Sequence, residues 1–411
     1  MLSWCPNASL RFSLAAVLSL QTGIALGDAQ YSGFDVSASA LSDDNYGLSS
    51  FVKNDVTGSS LQLRGRYRYV TEQSSLVLSG RMVDENLDGE ETDENDVMQL
   101  KVEGQHHSER SYVSGSLSTA QDTTQTDDAL SSGFTPINVG RNRYSGSLSG
   151  EYALTETQSA SLSGTVQALR FDEYSPTLSE YDYSALDVRY FWSMQETLRT
   201  YVSGVASRVE YNDDVRLDLI LNGQFVSDRT DIQSVSLGLS WTMANVYTLD
   251  ASFGHRKTKY QGDYYLFLFP TIYKLSSDEE GSGRISNLVL NHQGERSNST
   301  IELYQEITPN TSGTLIDERR LEFRSKYLLT EKTSIDIRAF ASEQRSELDG
   351  DTRDNIDVAY GSFGIAWKFR QSMRLRADYR YISRRYVNTD IDTESNRILV
   401  GFVWSPNRFE W

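Results

Sequence analysis

Arginine recurs at every second position in three stretches of the sequence. Residues 61–70, LQLRGRYRYV, place three arginines among leucines and tyrosines, and two later stretches repeat this plan with acids interspersed. A guanidinium group donates paired hydrogen bonds to anionic groups, so a ladder of arginines could hold anionic or hydroxyl-rich solutes. The candidate solute-contacting residues are Arg64, Arg66, Arg68, Arg320, Arg324, Arg374, Arg376, Asp378 and Arg380.

A period of two is the signature of a β-strand, because successive side chains point to opposite faces. The 61–70 stretch therefore has an oily face with Leu61 and Leu63 and a cationic face with the three arginines. In a soluble sandwich the oily face would turn inward. In a large barrel within lipid the oily face would turn outward, and the arginines would line water.

The composition excludes transmembrane helices. The chain has 411 residues, is 38% hydrophobic and has a mean hydropathy of -0.48. No run of about 18 apolar residues follows the N-terminal region. The formal net charge of -18 argues against nucleic acid as a partner. No linker rich in Pro, Gly or charge divides the chain, so we expect one continuous architecture.

Residues 1–27 have the pattern of a secretory signal peptide. Arg11 supplies the positive charge, an apolar core follows, and Ala25 and Gly27 form a small-residue cleavage site before Asp28. An uncleaved anchor helix is the alternative. Cys5 is the single cysteine of the chain and lies within this segment, so we expect no disulfide and no lipid anchor in the mature domain, residues 28–411.

Short hairpins repeat along the sequence, each with an aromatic residue, a polar turn and a new alternating run, as in YALTETQSASLSG from Tyr152. Six hairpins follow this plan, and two less regular turns at 108–111 and 295–298 bring the short turns to eight. The short turns alternate with longer polar connections, an asymmetry typical of outer-membrane barrels. We therefore predict an all-β fold. It is a single transmembrane antiparallel up-and-down β-barrel of about 18 strands, between about 16 and 20, with short periplasmic turns and long extracellular loops.

The apolar faces of the strands favour a membrane barrel over soluble β-folds. Leu186, Val188 and Tyr190 alternate with polar residues, and the opposite faces of the strands are uniformly polar. A sandwich would need a second apolar layer, whereas a large barrel encloses water. A solenoid or propeller would need a fixed repeat length, which the hairpins lack. The predicted location is the cell outer membrane, with membrane lipid, lipopolysaccharide and the barrel-assembly machinery as partners.

Aromatic residues precede most of the short turns and would lie at one height in the membrane. Amphipathic rings favour the membrane–water interface, so this recurrence predicts a periplasmic aromatic girdle. The alternative is that aromatic residues are simply common in strands. The predicted girdle residues are Tyr69, Tyr152, Trp192, Trp241, Tyr327, Trp367 and Trp404.

Two stretches, residues 211–224 and residues 263–274 within the connection 261–282, are too apolar for free loops. They could form an additional strand pair, an external sheet, extended strand ends or, for 261–282, an inward-folded constriction loop. Aromatic residues within the second segment could also stack on sugar rings. These are Tyr264, Tyr265, Phe267 and Phe269.

The sequence predicts no enzyme, no cofactor and no metal site. Residues 84–95, DENLDGEETDEN, nearly match a calcium loop, but Asn95 replaces the final bidentate glutamate. The four histidines, His106, His107, His255 and His292, assemble no nucleophile, base and orienting acid.

The order of these features resembles the outer-membrane β-barrel proteins encoded with exopolysaccharide and exosortase-type loci in Gram-negative bacteria. The similarity rests on the leader, the segment SDDNY at 42–46, the aromatic–turn–strand repeats and the ending SNRILVGFVWSP. It implies a porin-like pore or accessory factor in polysaccharide export, with export components as partners. The chain departs from the common pattern in its tail, because PNRFEW follows Trp404.

Two classes of function follow from the sequence. The first is an outer-membrane channel whose arginine-lined lumen passes, or helps to export, polysaccharide or small polar or anionic solutes. Within that class, the arginines could instead pair with inner acids and fill the lumen. The second is a non-conducting barrel that anchors or interacts with exopolysaccharide at the cell surface.

Overall fold

The computed structural model describes residues 30–46, 48, 53, 55–88, 96–124, 139–173, 178–211, 225–268, 271–310, 315–346, 355–406 and 409–410. The backbone alone is described at 30, 225–228, 263–268, 271–275, 277 and 409–410. The predicted signal peptide lies outside the described residues.

Antiparallel strands make up almost the whole of the described chain. They are β1 (Gln30–Asp43), β2 (Val56–Val70), β3 (Ser74–Asp88), β4 (Val97–His107), β5 (Ser111–Thr123), β6 (Gly140–Ala153), β7 (Gln158–Phe171), β8 (Tyr181–Gln195), β9 (Leu198–Tyr211), β10 (Phe225–Met243), β11 (Tyr247–Leu268), β12 (Thr271–Gln293), β13 (Ser297–Pro309), β14 (Leu315–Leu328), β15 (Thr333–Ser346), β16 (Ile356–Arg370), β17 (Met373–Tyr386), β18 (Ile391–Trp404) and the two-residue β19 (Phe409–Glu410).

The strands close into a barrel. From β1 to β18 each strand pairs with the next, and β18 returns to pair with β1. The prediction of an all-β barrel of about 18 strands is therefore confirmed. The short β19 also pairs with β1, at Tyr31 and Ser32. No helix in the described part of the chain is long and apolar enough to cross a membrane.

Closure is reinforced at one end by the segment that follows β1. Asp43 accepts a hydrogen bond from the Ser395 hydroxyl at 2.7 Å, and Asp44 accepts one from the Asn396 amide nitrogen at 2.8 Å. Asn45, which is 1% exposed, donates to the carbonyl oxygen of Glu394 at 2.8 Å. The SDDNY segment thus joins the first strand to the last.

The eight short turns predicted from the sequence lie at one end of the barrel, and the other connections between strands lie at the opposite end. Between β10 and β11, Ala244 and Asn245 have φ angles of 51° and 56°. Two successive left-handed residues form the kind of tight turn that matches the twist of a hairpin. Both β1 and β18 also have their outer ends on the short-turn side, because Gln30 pairs with Tyr69 and Trp404 pairs with Met373.

One predicted long connection is a hairpin of extended strands. Residues 261–282 continue β11 and β12, which are 22 and 23 residues long and pair from Tyr247–His292 up to Leu268–Thr271. The prediction of a loop there, including an inward-folded constriction loop, is wrong, and no additional strand pair forms. The alternative of extended strand ends is confirmed. Most of the 211–224 segment lies outside the described residues, beyond the end of β9.

Candidate functional site

One cavity of about 660 Å³ shows which face of the sheet lines the inside of the barrel. Its lining includes Tyr183 on β8, Ser236 on β10, Tyr304 on β13 and Arg380 on β17. Side chains from strands so far apart in the sheet can converge only on its concave side. The pairing register then assigns every second residue of each strand to the same inner face.

Arginines from β2, β3 and β17 form an inner surface that we call the arginine wall. It comprises Arg64, Arg66, Arg68, Arg81, Arg374 and Arg376, and β17 reaches β2 through β18 and β1. Three strand spacings of about 4.8 Å put the two ladders roughly 14 Å apart. Arg376 pairs with Asp378 at 2.7 Å. The other five make no ion pair with any described residue.

Like charges face each other within this wall. Arg64 is directly opposite Arg81 across the β2–β3 ladder, and Asp35 is opposite Arg64 on β1. With its amide oxygen turned toward the two guanidinium groups, Gln62 accepts hydrogen bonds from Arg64 Nε at 2.9 Å and Arg81 Nε at 2.7 Å. A neutral amide cannot balance two cations, so the wall keeps a net positive charge.

Arg320 and Arg324 belong to a different environment, the paired cluster of β14 and β15. Glu322 is 2% exposed and accepts from Arg320 at 2.9 Å, from Arg338 at 2.6 Å and from Arg324. Glu318 accepts from the Ser342 hydroxyl at 2.8 Å. Here the arginines are neutralised by neighbouring inner acids, which is the filling role that the sequence left open.

The paired cluster is also packed against aromatic rings. Phe340 stacks on Tyr360 with centroids 4.9 Å apart and planes 8° apart. The Arg320 guanidinium lies 3.8 Å from the Phe340 centroid, and Arg380 lies 5.9 Å from that of Tyr360. Such cation–π contacts restrict the guanidinium groups. On this side of the lumen the guanidinium groups thus contact rings as well as acids.

A third inner surface is made of hydroxyl groups. Along β5 and β6 the serine pairs Ser114–Ser149, Ser116–Ser147 and Ser118–Ser145 are 2.7, 2.8 and 2.7 Å apart. The register places further polar residues of β7 and β10 on the same inner face: Ser161, Ser163, Thr165, Gln167, Ser234, Ser236 and Ser240. Each hydroxyl can donate one hydrogen bond and accept two.

At the long-loop end, β9 and β11 contact β14, although these strands are not neighbours in the sheet. Above the Ser286–Gln305 pair, β12 and β13 are no longer paired. There the buried side chains Val209, Tyr211 and Tyr260 pack against Leu315 of β14. We call this group the apolar contact.

An ion pair accompanies the apolar contact. Arg256 of β11 donates to Asp317 of β14 at 2.9 Å, and its side chain is 2% exposed. The guanidinium crosses Gly283 of β12, where an added Cβ would lie 2.4 Å from Arg256 Nη1. Gln305 also donates to Asp317, at 3.1 Å. β11 is thereby held to β14 across β12 and β13.

The aromatic residues of the predicted girdle lie on the outer face of the sheet near the short turns. Tyr152, Trp192, Trp241, Tyr327, Trp367 and Trp404 are each more than a third exposed. Leucines and valines such as Leu237, Leu148 and Val235, each more than 60% exposed, lie farther along the same face. The interfacial role of the aromatic residues stays a prediction.

Several residues relevant to the lumen were missed from the sequence. Arg81 is one, because the inner positions before it on β3 are Ser75, Val77 and Ser79 and form no charged ladder. Arg338 alternates with Asp336 and could have been found by the same pattern that singled out Arg324. Asn95 and Phe269 lie outside the described residues, and the side chains of Tyr264, Tyr265 and Phe267 are not described.

The histidines and acids form no metal-binding group of three or more within the part of the chain that the structure describes. His106 accepts or donates a hydrogen bond with the Ser74 hydroxyl at 2.8 Å, and His292 does so with Ser297 at 3.1 Å. Both contacts lie at the short-turn end.

No protein-family model and no curated protein matches the chain. Among solved structures it is similar to OpdL of Pseudomonas aeruginosa, with 10% identity, a TM-score of 0.42 and coverage of 92% of this chain and 99% of the other. It is also similar to a BenF-like porin from Pseudomonas fluorescens Pf-5, with 9% identity, a TM-score of 0.44 and coverage of 92% of this chain and 99% of the other. A third similar structure is the ferric yersiniabactin uptake receptor FyuA from Yersinia pestis, with 11% identity, a TM-score of 0.41 and coverage of 87% of this chain and 61% of the other.

The chain thus spans less than two thirds of the FyuA chain, and its similarity to all three structures is loose. The location of the protein follows from its own faces. A closed antiparallel barrel with an apolar exterior and a polar interior satisfies every strand hydrogen bond within lipid. The protein is an outer-membrane β-barrel.

Proposed function

We propose that the barrel is a channel for anionic or hydroxyl-rich solutes, polysaccharide among them, and that the arginine wall determines its selectivity. The observation that carries this proposal is the contrast between two inner arginine groups. Arg320, Arg324 and Arg338 are neutralised by Glu322, whereas five arginines of the wall make no ion pair with a described residue.

The wall has the chemistry of an anion-binding surface. Arg64, Arg66, Arg68 and Arg374 are exposed on the inner face, so their donors are available to a solute. A carboxylate or phosphate between Arg64 and Arg81 would relieve the repulsion of two directly opposed cations. The serine pairs of β5 and β6 supply complementary hydrogen-bonding groups for sugar hydroxyls.

The proposal is tested by ion selectivity in planar lipid bilayers. We expect the combined substitutions R64Q, R66Q, R374Q and R376Q to lower the anion-to-cation permeability ratio about tenfold, because a surface of one charge concentrates counter-ions in a narrow lumen. The measurement is the reversal potential across a potassium chloride gradient.

The matched control removes four arginines from the outer face: R170Q, R319Q, R345Q and R385Q. It changes the net charge equally and should leave the reversal potential unchanged. If the inner and outer variants shift the potential alike, selectivity does not arise from the arginine wall.

A second candidate function is a non-conducting surface anchor, and the apolar contact favours it. Val209, Tyr260 and Leu315 are at most 1% exposed and join distant strands at the long-loop end. Single-channel recording separates the two functions, because a channel opens steadily whereas an anchor stays silent although correctly folded. Under either function we propose no catalytic step, no cofactor and no nucleic-acid partner; assembly-machinery and export components are proposed partners.

A further inference from the structure

The outer wall carries a groove of about 880 Å³ between β5 and β12. One straight row of cross-strand neighbours forms one side, running from Leu117 on β5 through Val166 to Arg208, Lys259 and Glu280 on β12. An outward-facing hollow is unusual on a barrel, whose outer surface is convex. The wall between β5 and β12 is therefore hollowed on its outer side.

The groove changes character along its length. Its β5–β8 part is lined by Leu117, Leu148, Val166 and Leu186, with Gly164 in its floor. Its β9–β12 part is lined by charged side chains, three basic and two acidic: Arg208, Lys257, Lys259, Asp231 and Glu280. One end is suited to hydrocarbon and the other to a polar headgroup.

The two ends also lie at different depths. Leu117 is six positions after the start of β5 at Ser111, whereas Glu280 is thirteen positions before the end of β12 at Gln293. Both strand ends are at short turns, so the charged end is about 23 Å farther along the strands from the short-turn side. The apolar end lies within the hydrocarbon layer and the charged end toward the long-loop side.

The charged side chains are available to a ligand. Arg208 pairs with Asp231 at 2.8 Å, Lys257 with Glu280 at 2.8 Å and Lys259 with Asp278 at 2.9 Å. The side chains of the two lysines are 62% and 43% exposed, and such solvated pairs contribute little to stability. A phosphate could replace one acid at small cost, with paired hydrogen bonds from Arg208.

We infer that this groove binds one lipopolysaccharide molecule of the outer leaflet. An acyl chain lies along the Leu117–Leu186 end, and a lipid A phosphate contacts Arg208, Lys257 and Lys259. The apolar end of the groove, the three basic side chains at its other end and its position on the long-loop side match a phosphorylated, acylated lipid of that leaflet. The inference is independent of whether the lumen conducts.

The test measures lipid binding to the full-length folded protein in neutral detergent. Deep-rough lipopolysaccharide is titrated while native mass spectrometry counts retained lipids and heat-dependent gel mobility gives the unfolding temperature. We expect one retained molecule and a rise in that temperature. The combined substitutions R208Q, K257Q and K259Q should weaken binding about tenfold or more, since phosphate loses its charged donors.

A second variant tests the apolar end without changing charge. A Cβ at Gly164 would meet only the Ala185 carbonyl oxygen, at 3.9 Å, so G164L can fill the groove without displacing the backbone. It should also weaken binding. The matched controls are G361L on the outer face of β16, where a Cβ meets nothing within 4 Å, and the triple variant R319Q, R345Q and R385Q.

Three results would overturn the inference. One is wild-type binding by both groove variants. Another is equal loss in the control variants, which would indicate a general charge or surface effect. The third is equal stabilisation by phosphatidylglycerol or by dephosphorylated lipid A, which would show that the groove does not recognise the lipopolysaccharide phosphate.

Discussion

At the residue scale, the contact between Arg256 and Asp317 depends on a residue with no side chain. The guanidinium reaches β14 across β12 because Gly283 leaves the space that any Cβ would occupy. The pair is buried, with side-chain exposures of 2% and 18%. Removing one partner of such a pair leaves the other charge desolvated and uncompensated.

We therefore expect D317N to lower the free energy of unfolding by about 3 kcal/mol. Urea unfolding of the protein in lipid vesicles would measure it. The matched control is D390N, which removes the partner of Arg385 in an exposed pair with side-chain exposures of 55% and 76%. Its effect should stay below about 1 kcal/mol. Equal effects would contradict a structural role for the buried pair.

The sequence predicted which arginines face inward but not which are neutralised. Arg64 and Arg324 lie in the same alternating pattern, yet Arg324 meets Glu322 whereas Arg64 meets Arg81. Those partners are fixed by strand register, which brings together residues from different strands. Alternation determines the face of each side chain, but the neighbour across the ladder is a property of the folded sheet.

At the element scale, β11 and β12 are about twice as long as a membrane crossing requires. About 9–11 tilted residues span the hydrocarbon layer, whereas these strands have 22 and 23. Beyond the membrane both faces of a strand meet water, so the apolar alternation ends. Cross-strand ion pairs such as Lys257–Glu280 replace it. The sequence predicted a connection at 261–282 because the alternation of the membrane-crossing part stops there, and the apolar stretch within it left extended strand ends as one of several alternatives.

The apolar contact should limit conduction. We expect Y260S combined with L315S to raise single-channel conductance, because the buried cluster that joins β11 to β14 then loses the side chains that make the contact. Planar-bilayer recording measures it.

The control is L237S, which removes a leucine from the outer face of β10 that is 66% exposed. It should lower stability without changing conductance. An unchanged conductance in the Tyr260 and Leu315 variant, despite lower stability, would show that the contact does not constrict the lumen.

At the scale of the whole molecule, the sequence was sufficient to predict the fold but not the shape of the lumen. Period-two alternation and eight short turns predicted a closed barrel of about 18 strands, because each strand must bury an oily face in lipid. The contact across the long-loop end joins Val209, Tyr260 and Leu315. These residues come from strands that are not neighbours, so no local pattern reports their contact.

The girdle can be tested through its exposed rings. We expect W241A and W367A each to lower the free energy of unfolding in vesicles by about 2 kcal/mol, since each removes a large ring from the membrane interface. The substitutions W241F and W367F should retain most of the free energy of unfolding that alanine removes. Equal effects of alanine and phenylalanine, or none from either, would contradict an interfacial role for these two rings.

The seam between β1 and β18 has a consequence for the order of assembly. It contains eight residue pairs, from Val36–Trp404 to Asp43–Arg397, whereas β1 and β2 share fourteen. Asp43 and Arg397 are 354 positions apart, so the first strand to leave the ribosome waits for almost the entire chain before its second edge is covered. We therefore expect ring closure to be the last pairing to form, together with the SDDNY contacts. Until that seam forms, both edges of the sheet present unpaired N–H and C=O groups that other chains could extend, so we expect assembly to need a partner that covers them.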